Sequence, residues 1–261
     1  EKESLGKDDI TDFLAISFSS TDYVGHVLGA RSMELQDTYL RLDQTLADLF
    51  NYLDTNVGKN QYLVFITADH ACAENGIFLK DNKYNVRNIH YKDIDKPIKE
   101  FSKATFGEDL ITNYSNFNIY LDKKKIKEKA LDLALVKQTF KEFLLKQDYV
   151  KRVYTEEEIL AASCSDYFLQ FIFNGYDATQ DGDLVVLDKP GYIEYGTTGT
   201  THGSCYAYET HVPVLFYGWK IKKGNNHSKK LITQIEPTIA QKIGITFPNG
   251  SKCEVLEDIL K

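Results

Sequence analysis

The sequence predicts an α/β fold, a mostly parallel sheet sandwiched by helices, and three observations predict it. Apolar strand-like runs lie at Asp12 to Ser19 and at Gln61 to Ala68, an amphipathic helical pattern lies between them, and each run leads into a cluster of side chains that bind metals. Strand, helix and strand joined by short connections make a right-handed parallel crossover, which brings both strand ends to one edge of the sheet. Open α/β sheets gather their ligands at that edge, beyond the C-terminal ends of the strands.

Each element has its own reason. Phe13 to Phe18 is an apolar run of strand length and fits a buried strand. Met33 to Asn56 places Leu35, Tyr39, Leu42, Leu46, Leu49 and Leu53 on one helical face, and Gly58 suits the end of that helix. Gln61 to Ala68 is the second core strand. Residues 80 to 113 are polar, contain Pro97 and Gly107, and read as an excursion outside the core. Beyond them Asn116 to Leu121 is expected to be a strand, Lys123 to Lys146 a helix with a charged outer face, and Asp166 to Phe173 another strand.

Three polar stretches invite a functional reading that their chemistry does not support. The run Glu156-Glu157-Glu158 suits the first turn of a helix, where carboxylates meet unpaired backbone N–H groups. Asp177, Asp181, Gly182 and Asp183 resemble a calcium loop, yet Asp188 and Lys189 occupy the stretch where a bidentate Glu is required, so a turn before the strand Leu184 to Leu187 is expected. Residues 196 to 201, Gly-Thr-Thr-Gly-Thr-Thr, lack the Gly-Lys-Thr or Gly-Lys-Ser that completes a P-loop.

Composition sets the class. A length of 261 residues is ample for one core, and 43% hydrophobic with 13% aromatic residues is globular. A net charge of −7 argues against a nucleic-acid surface, so any attraction to phosphate must be local and come from metal. No apolar stretch approaches the ~20 residues of a membrane-spanning helix. Cys72, Cys164, Cys205 and Cys253 show no C-x-x-C spacing, which disfavours a thiolate zinc site; buried thiols and disulfides both stay open. Cys72 and Cys205 follow two of the histidines closely, but their rank as ligands is low.

The metal-binding candidates are Asp22, His26, Asp69, His70 and His202. Carboxylate oxygen and neutral imidazole nitrogen hold zinc where no thiolate is used, and a catalytic zinc takes three protein ligands and keeps one position open. Five candidates suggest more than one ion. The spacing Asp22-x3-His26 puts both side chains on one face of a helical turn. Asp69 and His70 are neighbours, so they share a metal only where the chain leaves the extended conformation. Ordinary structural readings exist for each: Asp22 as a helix cap, His26 as a surface residue, Asp69-His70 as a turn.

The order of these segments carries a resemblance. Phe18-Ser-Ser-Thr-Asp22-Tyr-Val-Gly-His26, Thr67-Ala-Asp69-His70 and Gly199-Thr-Thr-His202-Gly, followed by Tyr208-Glu-Thr-His211-Val-Pro-Val-Leu-Phe-Tyr-Gly218, resemble the C-terminal half of the alkaline phosphatase superfamily. The branch they match is the secreted, phosphate-irrepressible bacterial type related to nucleotide pyrophosphatases and phosphodiesterases. Ile235 to Gly244 is similar to the helix that closes that fold, and Tyr149 to Glu158 to its short strand and exposed helix. The resemblance assigns Asp22, His26 and His202 to one zinc, Asp69 and His70 to a second, and a supporting role to His211. His90 and His227, in polar segments, are expected to be solvated.

What the resemblance implies is also incomplete here. The family's second zinc takes a further Asp from an N-terminal strand, and its Thr or Ser nucleophile follows that Asp, whereas only 21 residues precede Asp22. The expectation is therefore the C-terminal part of one alkaline phosphatase-like domain over residues 1–261, lacking its N-terminal strands, with a catalytic nucleophile outside it. The implied parent is a periplasmic or secreted zinc-dependent phosphate monoester hydrolase that binds two zinc ions. Its partners are a phosphate ester and its own N-terminal half. Phosphodiesters, phosphonates or sulfate esters are alternative substrates within the superfamily, and an inactive metal-binding module is the non-enzymatic alternative.

Overall fold

The structure is a computed structural model that describes residues 3–163, 165–251 and 254–260. The chain divides into two compact units. One comprises Glu1–Thr21, Gln36–Asp69 and Val212–Lys261; the other comprises Asp22–Leu35 and His70–His211. Among the described residues eight strands are formed: β1 Leu63–Thr67, β2 Asn88–Ile89, β3 Ile111–Ser115, β4 Asn118–Leu121, β5 Val150–Thr155, β6 Leu184–Asp188, β7 Ile193–Glu194 and β8 Val214–Gly218.

The unit containing His70–His211 is built on a four-stranded sheet in the order β3-β4-β6-β5. β6 is buried along its whole length, and its side chains divide by the two-residue strand period. Leu184 and Val186 pack with Ile94, Ile98, Val136, Phe140 and Leu144 from the helices Tyr91–Phe106 and Leu133–Leu144. Val185 and Leu187 pack with Ile159, Cys205 and Tyr206, and with Phe168, Leu169 and Ile172 of the helix Tyr167–Gly175. The sheet is thus covered by helices on both faces, as expected, but its strand pairs are all antiparallel. Among the described strands only the two-residue pair β2–β7 is parallel. The parallel crossover depended on a strand at Asp12 to Ser19, and none forms there.

Other local expectations are corrected in the same way. Residues 80 to 113 are not an excursion: Ile89, Ile94, Ile98, Leu110 and Ile111 are buried in the main core. Lysines and acids on the outer face of Tyr91–Phe106 hid an amphipathic helix, and the solvent-facing His90 caps its start. Lys123 to Lys146 is two helices, Lys123–Glu128 and Leu133–Leu144, because Ala130 turns left-handed and Asp132 caps the second one. Asp166 to Phe173 is a helix, not a strand; the Asp166 carboxylate accepts the N–H groups of Phe168 and Leu169 and so fixes a helical start. A short apolar run leaves strand and helix undecided, and the cap settles it.

Other elements form as read. The helix Met33–Leu53 and the strands β4 and β6 are present, and Thr155 and Glu158 make a capping box that places Glu156–Glu158 in the first turn of Glu156–Leu160. Lys137, buried on Leu133–Leu144, reaches Glu156 at 3.1 Å and Glu157 at 2.8 Å, so that turn is held by an ion pair as well. β3 and β4 join through a two-residue turn in which Asn116 and Phe117 both have positive φ, the geometry that lets a tight hairpin follow the twist of its strands. Phe117 is an unusual occupant of that position.

The other unit has a two-stranded antiparallel sheet, β1 with β8, in register from Leu63–Gly218 to Thr67–Val214. Tyr217 of β8 meets Phe50 and Tyr62, and the Tyr62 hydroxyl donates to Asp54 at 2.9 Å. Its helix Ile235–Ile243 buries Ile235, Pro237, Thr238 and Ala240. Residues 11–18, expected to be a buried strand, have no regular secondary structure, and Phe13 and Leu14 are 66% and 62% exposed. Apolar patterning alone does not make a strand; a ladder partner does, and among the described residues none pairs with this stretch. No helix of the described residues is long and apolar enough to cross a membrane.

Candidate metal centre

The site grows from a glycine-bearing helix. Ser20–Leu28 puts Asp22 in its first turn and His26 in its last, one turn apart on the same face. Gly25 is buried between them, with Leu35 as its nearest neighbour. Against this helix lies the loop before His202. Gly199 has a φ of +79°, and any Cβ there would collide with the His26 carbonyl, so glycine allows the loop its approach.

That approach sets the imidazole. The Thr200 carbonyl lies 2.9 Å from His26 Nδ1. A carbonyl only accepts, so Nδ1 carries the proton and Nε2 keeps its lone pair, the tautomer a metal ligand needs. His26 Nε2 is 3.4 Å from Asp22 Oδ1, and His202 Nε2 is 3.8 Å from the same oxygen. One donor atom from each of Asp22, His26 and His202 lies within 4.8 Å of the others. The three side chains are 44%, 27% and 29% exposed, so solvent reaches each of them. One carboxylate oxygen and two imidazole nitrogens fit zinc without thiolate.

The other candidates are placed as follows. His70 stacks on His202, ring centroids 3.3 Å apart, and its Nδ1 lies 3.0 Å from the Ala71 carbonyl, which again places the ring proton on Nδ1. Asp69 ends a segment of one compact unit, and His70 begins a segment of the other. His211 is exposed and ends the short helix Ala207–Thr210 through its backbone, with its N–H on the Ala207 carbonyl. Cys72 and Cys205 are free thiols outside the three-donor group, and burial pushes the Cys205 thiol up to about 11. Cys164 and Cys253 lie outside the described residues.

Sequence reasoning missed the residues that hold the donors in place. The Thr200 hydroxyl is buried and donates to the Ala73 carbonyl at 2.5 Å, while Ala73 N–H donates to the Thr201 carbonyl at 3.0 Å. Glu209 is buried as well, and its carboxylate accepts the Ser204 N–H at 2.6 Å. The only signal for Glu209 in the sequence was its place in the segment Tyr208 to Gly218, where the neighbouring histidine drew attention instead.

The chain belongs to the type I phosphodiesterase / nucleotide pyrophosphatase family, whose model matches residues 1–213. Among individual relatives, it is 38% identical over 258 residues to alkaline phosphatase PafA of Elizabethkingia meningoseptica, a match covering 98% of this chain and 47% of that protein. It is likewise 38% identical to alkaline phosphatase PhoV of Synechococcus elongatus, covering 99% of this chain and 47% of the relative. The crystal structure of wild-type PafA superposes with a TM-score of 0.94 at 37% identity, over 99% of this chain and 50% of that one. The fold is thus alkaline phosphatase-like α/β, and the chain spans about half the length of the curated relatives it matches.

Proposed function

We propose that this chain carries the metal-binding part of a zinc-dependent phosphate monoester hydrolase, with Asp22, His26 and His202 as ligands of one zinc and Asp69 and His70 contributing to a second. The observation that carries the reading is the convergence of Asp22, His26 and His202 from segments about 180 residues apart in a chain whose relatives are named alkaline phosphatases. Bound zinc would lower the pKa of a nucleophilic hydroxyl and neutralise phosphoryl oxygens.

The protein's own residues supply orientation. The Thr200 carbonyl holds the proton of His26 at Nδ1, and the His70–His202 stack fixes two rings side by side. Thr200 itself is no nucleophile, because its hydroxyl is buried and committed to Ala73; Thr67 is committed to the Pro213 carbonyl at 3.0 Å. We therefore assign no catalytic nucleophile to this chain and place it, with the Asp that completes the second zinc, in an N-terminal half of the kind the longer relatives possess. The exposed Phe13, Leu14, Ile16 and Phe18 are consistent with such a partner. A periplasmic or secreted location goes with the same reading. Diesters, phosphonates and sulfate esters stay as alternative substrates, since fold and metals do not separate them.

Two measurements test this. Calorimetric titration with zinc near neutral pH should show one dominant site, lost or weakened at least about tenfold in His202→Ala. Two equally tight sites would contradict the incomplete second site, and no binding would leave the metal reading without support. In a p-nitrophenyl phosphate assay with zinc, the chain should show only background hydrolysis, and a version extended at its N-terminus to the relatives' length should turn over. Robust turnover by the short chain, abolished by Thr201→Ala, would relocate the nucleophile.

A further inference from the structure

The loop that carries His202 is tied down on both sides. Upstream, Thr200 and Thr201 bond to Ala73 through a hydroxyl and a carbonyl. Downstream, Gly203 has a φ of +130°, open only to glycine, and Cys205 and Tyr206 beyond it are packed in the core. Between them, Ser204 is held by one side chain. Glu209 is 4% exposed, and its Oε2 accepts the Ser204 N–H at 2.6 Å. Its backbone carbonyl meanwhile accepts the Ala71 N–H at 2.8 Å, one residue beyond His70.

A single residue thus grips the two segments whose histidines stack at 3.3 Å. A buried carboxylate that accepts a backbone N–H acts as a rigid peg, because losing it leaves that donor unpaired away from water. We propose that Glu209 is a positioning residue that fixes the His202 imidazole against His70 and the Asp22–His26 pair; its bearing on metal rests on the zinc reading above. The tie is not one that helix Ala207–Thr210 needs for itself, since Glu209 N–H already bonds to the Tyr206 carbonyl.

The test uses the full chain with Glu209→Gln and Glu209→Asp. Glutamine keeps the size and loses the charge and one acceptor; aspartate keeps the charge and falls one methylene short of Ser204. Two readouts are compared in each: amide hydrogen exchange at Ala71 and Ser204 with NMR of the His70 and His202 rings in metal-free protein, and zinc affinity by calorimetry. Both variants should stay folded by circular dichroism, speed Ser204 exchange about tenfold or more, shift the His202 ring signals and weaken zinc binding about 10–100-fold, as loss of a ligand's support does. Unchanged ring signals and exchange in a folded variant overturn the positioning role. Altered exchange with wild-type ring signals and zinc affinity also overturns it, leaving Glu209 a plain structural residue. Failure of the wild-type chain to bind zinc would overturn the metal reading separately, because the ring measurements need no metal.

Discussion

Two of this protein's sheets, β3-β4-β6-β5 and β1-β8, are made of similarly apolar strands and have opposite surroundings. β6 is buried at every position between two helical layers, whereas β8 exposes Val214, Leu215 and Tyr217, and residues 11–18 expose Phe13, Leu14, Ile16 and Phe18 without a partner strand. Composition does not separate them; coverage does. Asp22, His26 and His202 all belong to the unit that holds the covered sheet.

The contrast is broken or sharpened first by truncating one aromatic in each region. Phe140 is fully buried and meets Phe101 edge-on, so Phe140→Ala should cost about 3–5 kcal/mol. Phe13→Ala should fall within about 0.5 kcal/mol of wild type, because the ring is largely exposed already. Urea denaturation of the two variants reads the difference; equal losses would mean that residues 11–18 are packed in solution.

The second test concerns a weakness inside the covered unit. Neither oxygen of Asp188 has a hydrogen-bond partner among the described residues, and burial pushes its carboxyl up to about 8, with Glu194 and Glu209 adding repulsion. Tyr114 and Tyr149, also buried beside it, offer no positive charge. The folded state then holds a proton that an unfolded Asp, with a pKa near ~3.9, releases. Stability from this group is therefore full below about pH 4 and is lost as pH rises towards 8. Asp188→Asn should flatten that fall and stabilise the protein by about 1–3 kcal/mol at pH 8.5 relative to pH 5. A residual slope of the same sign belongs to Glu194 and Glu209, both raised by burial. Parallel stability profiles for wild type and variant would show that Asp188 does not titrate in this range.

The smallest effect is expected at a cap. Asp166→Ala removes the acceptor for Phe168 and Leu169 N–H and should cost about 1 kcal/mol, seen as a modest drop in the urea midpoint. A loss above about 3 kcal/mol would mean that its ion pair with Arg152 matters more than the cap.

These residues also mark where the sequence was readable. The four-residue spacing of Asp22 and His26 is a local property that a helical turn converts into a shared face; the nearness of His202 came from the resemblance, since no local pattern reports a contact across about 180 residues. Helix Met33–Leu53 was legible by period, although Tyr39 on its expected inner face is exposed. Tyr91–Phe106 was hidden by its charged side, and Asp166 to Phe173 was too short to have a period of its own. Asp12 to Ser19 failed for a different reason: strand formation belongs to a pair, and one half of a pair carries no sign of its partner's absence.

The hairpin tip at Asn116-Phe117 has a consequence for anyone engineering this chain. Taken alone, the turn asks for glycine at position 117, where φ is +64°. The Phe117 carbonyl, however, accepts the Val186 N–H at 2.8 Å, and its ring sits so close to Gly203 that an added Cβ would lie 3.1 Å away. A library scored on turn ideality would replace the phenylalanine and count the change as a gain, while loosening the neighbour of a candidate ligand. Position 117 and position 203 form a lock-and-slot pair, to be varied together or left alone.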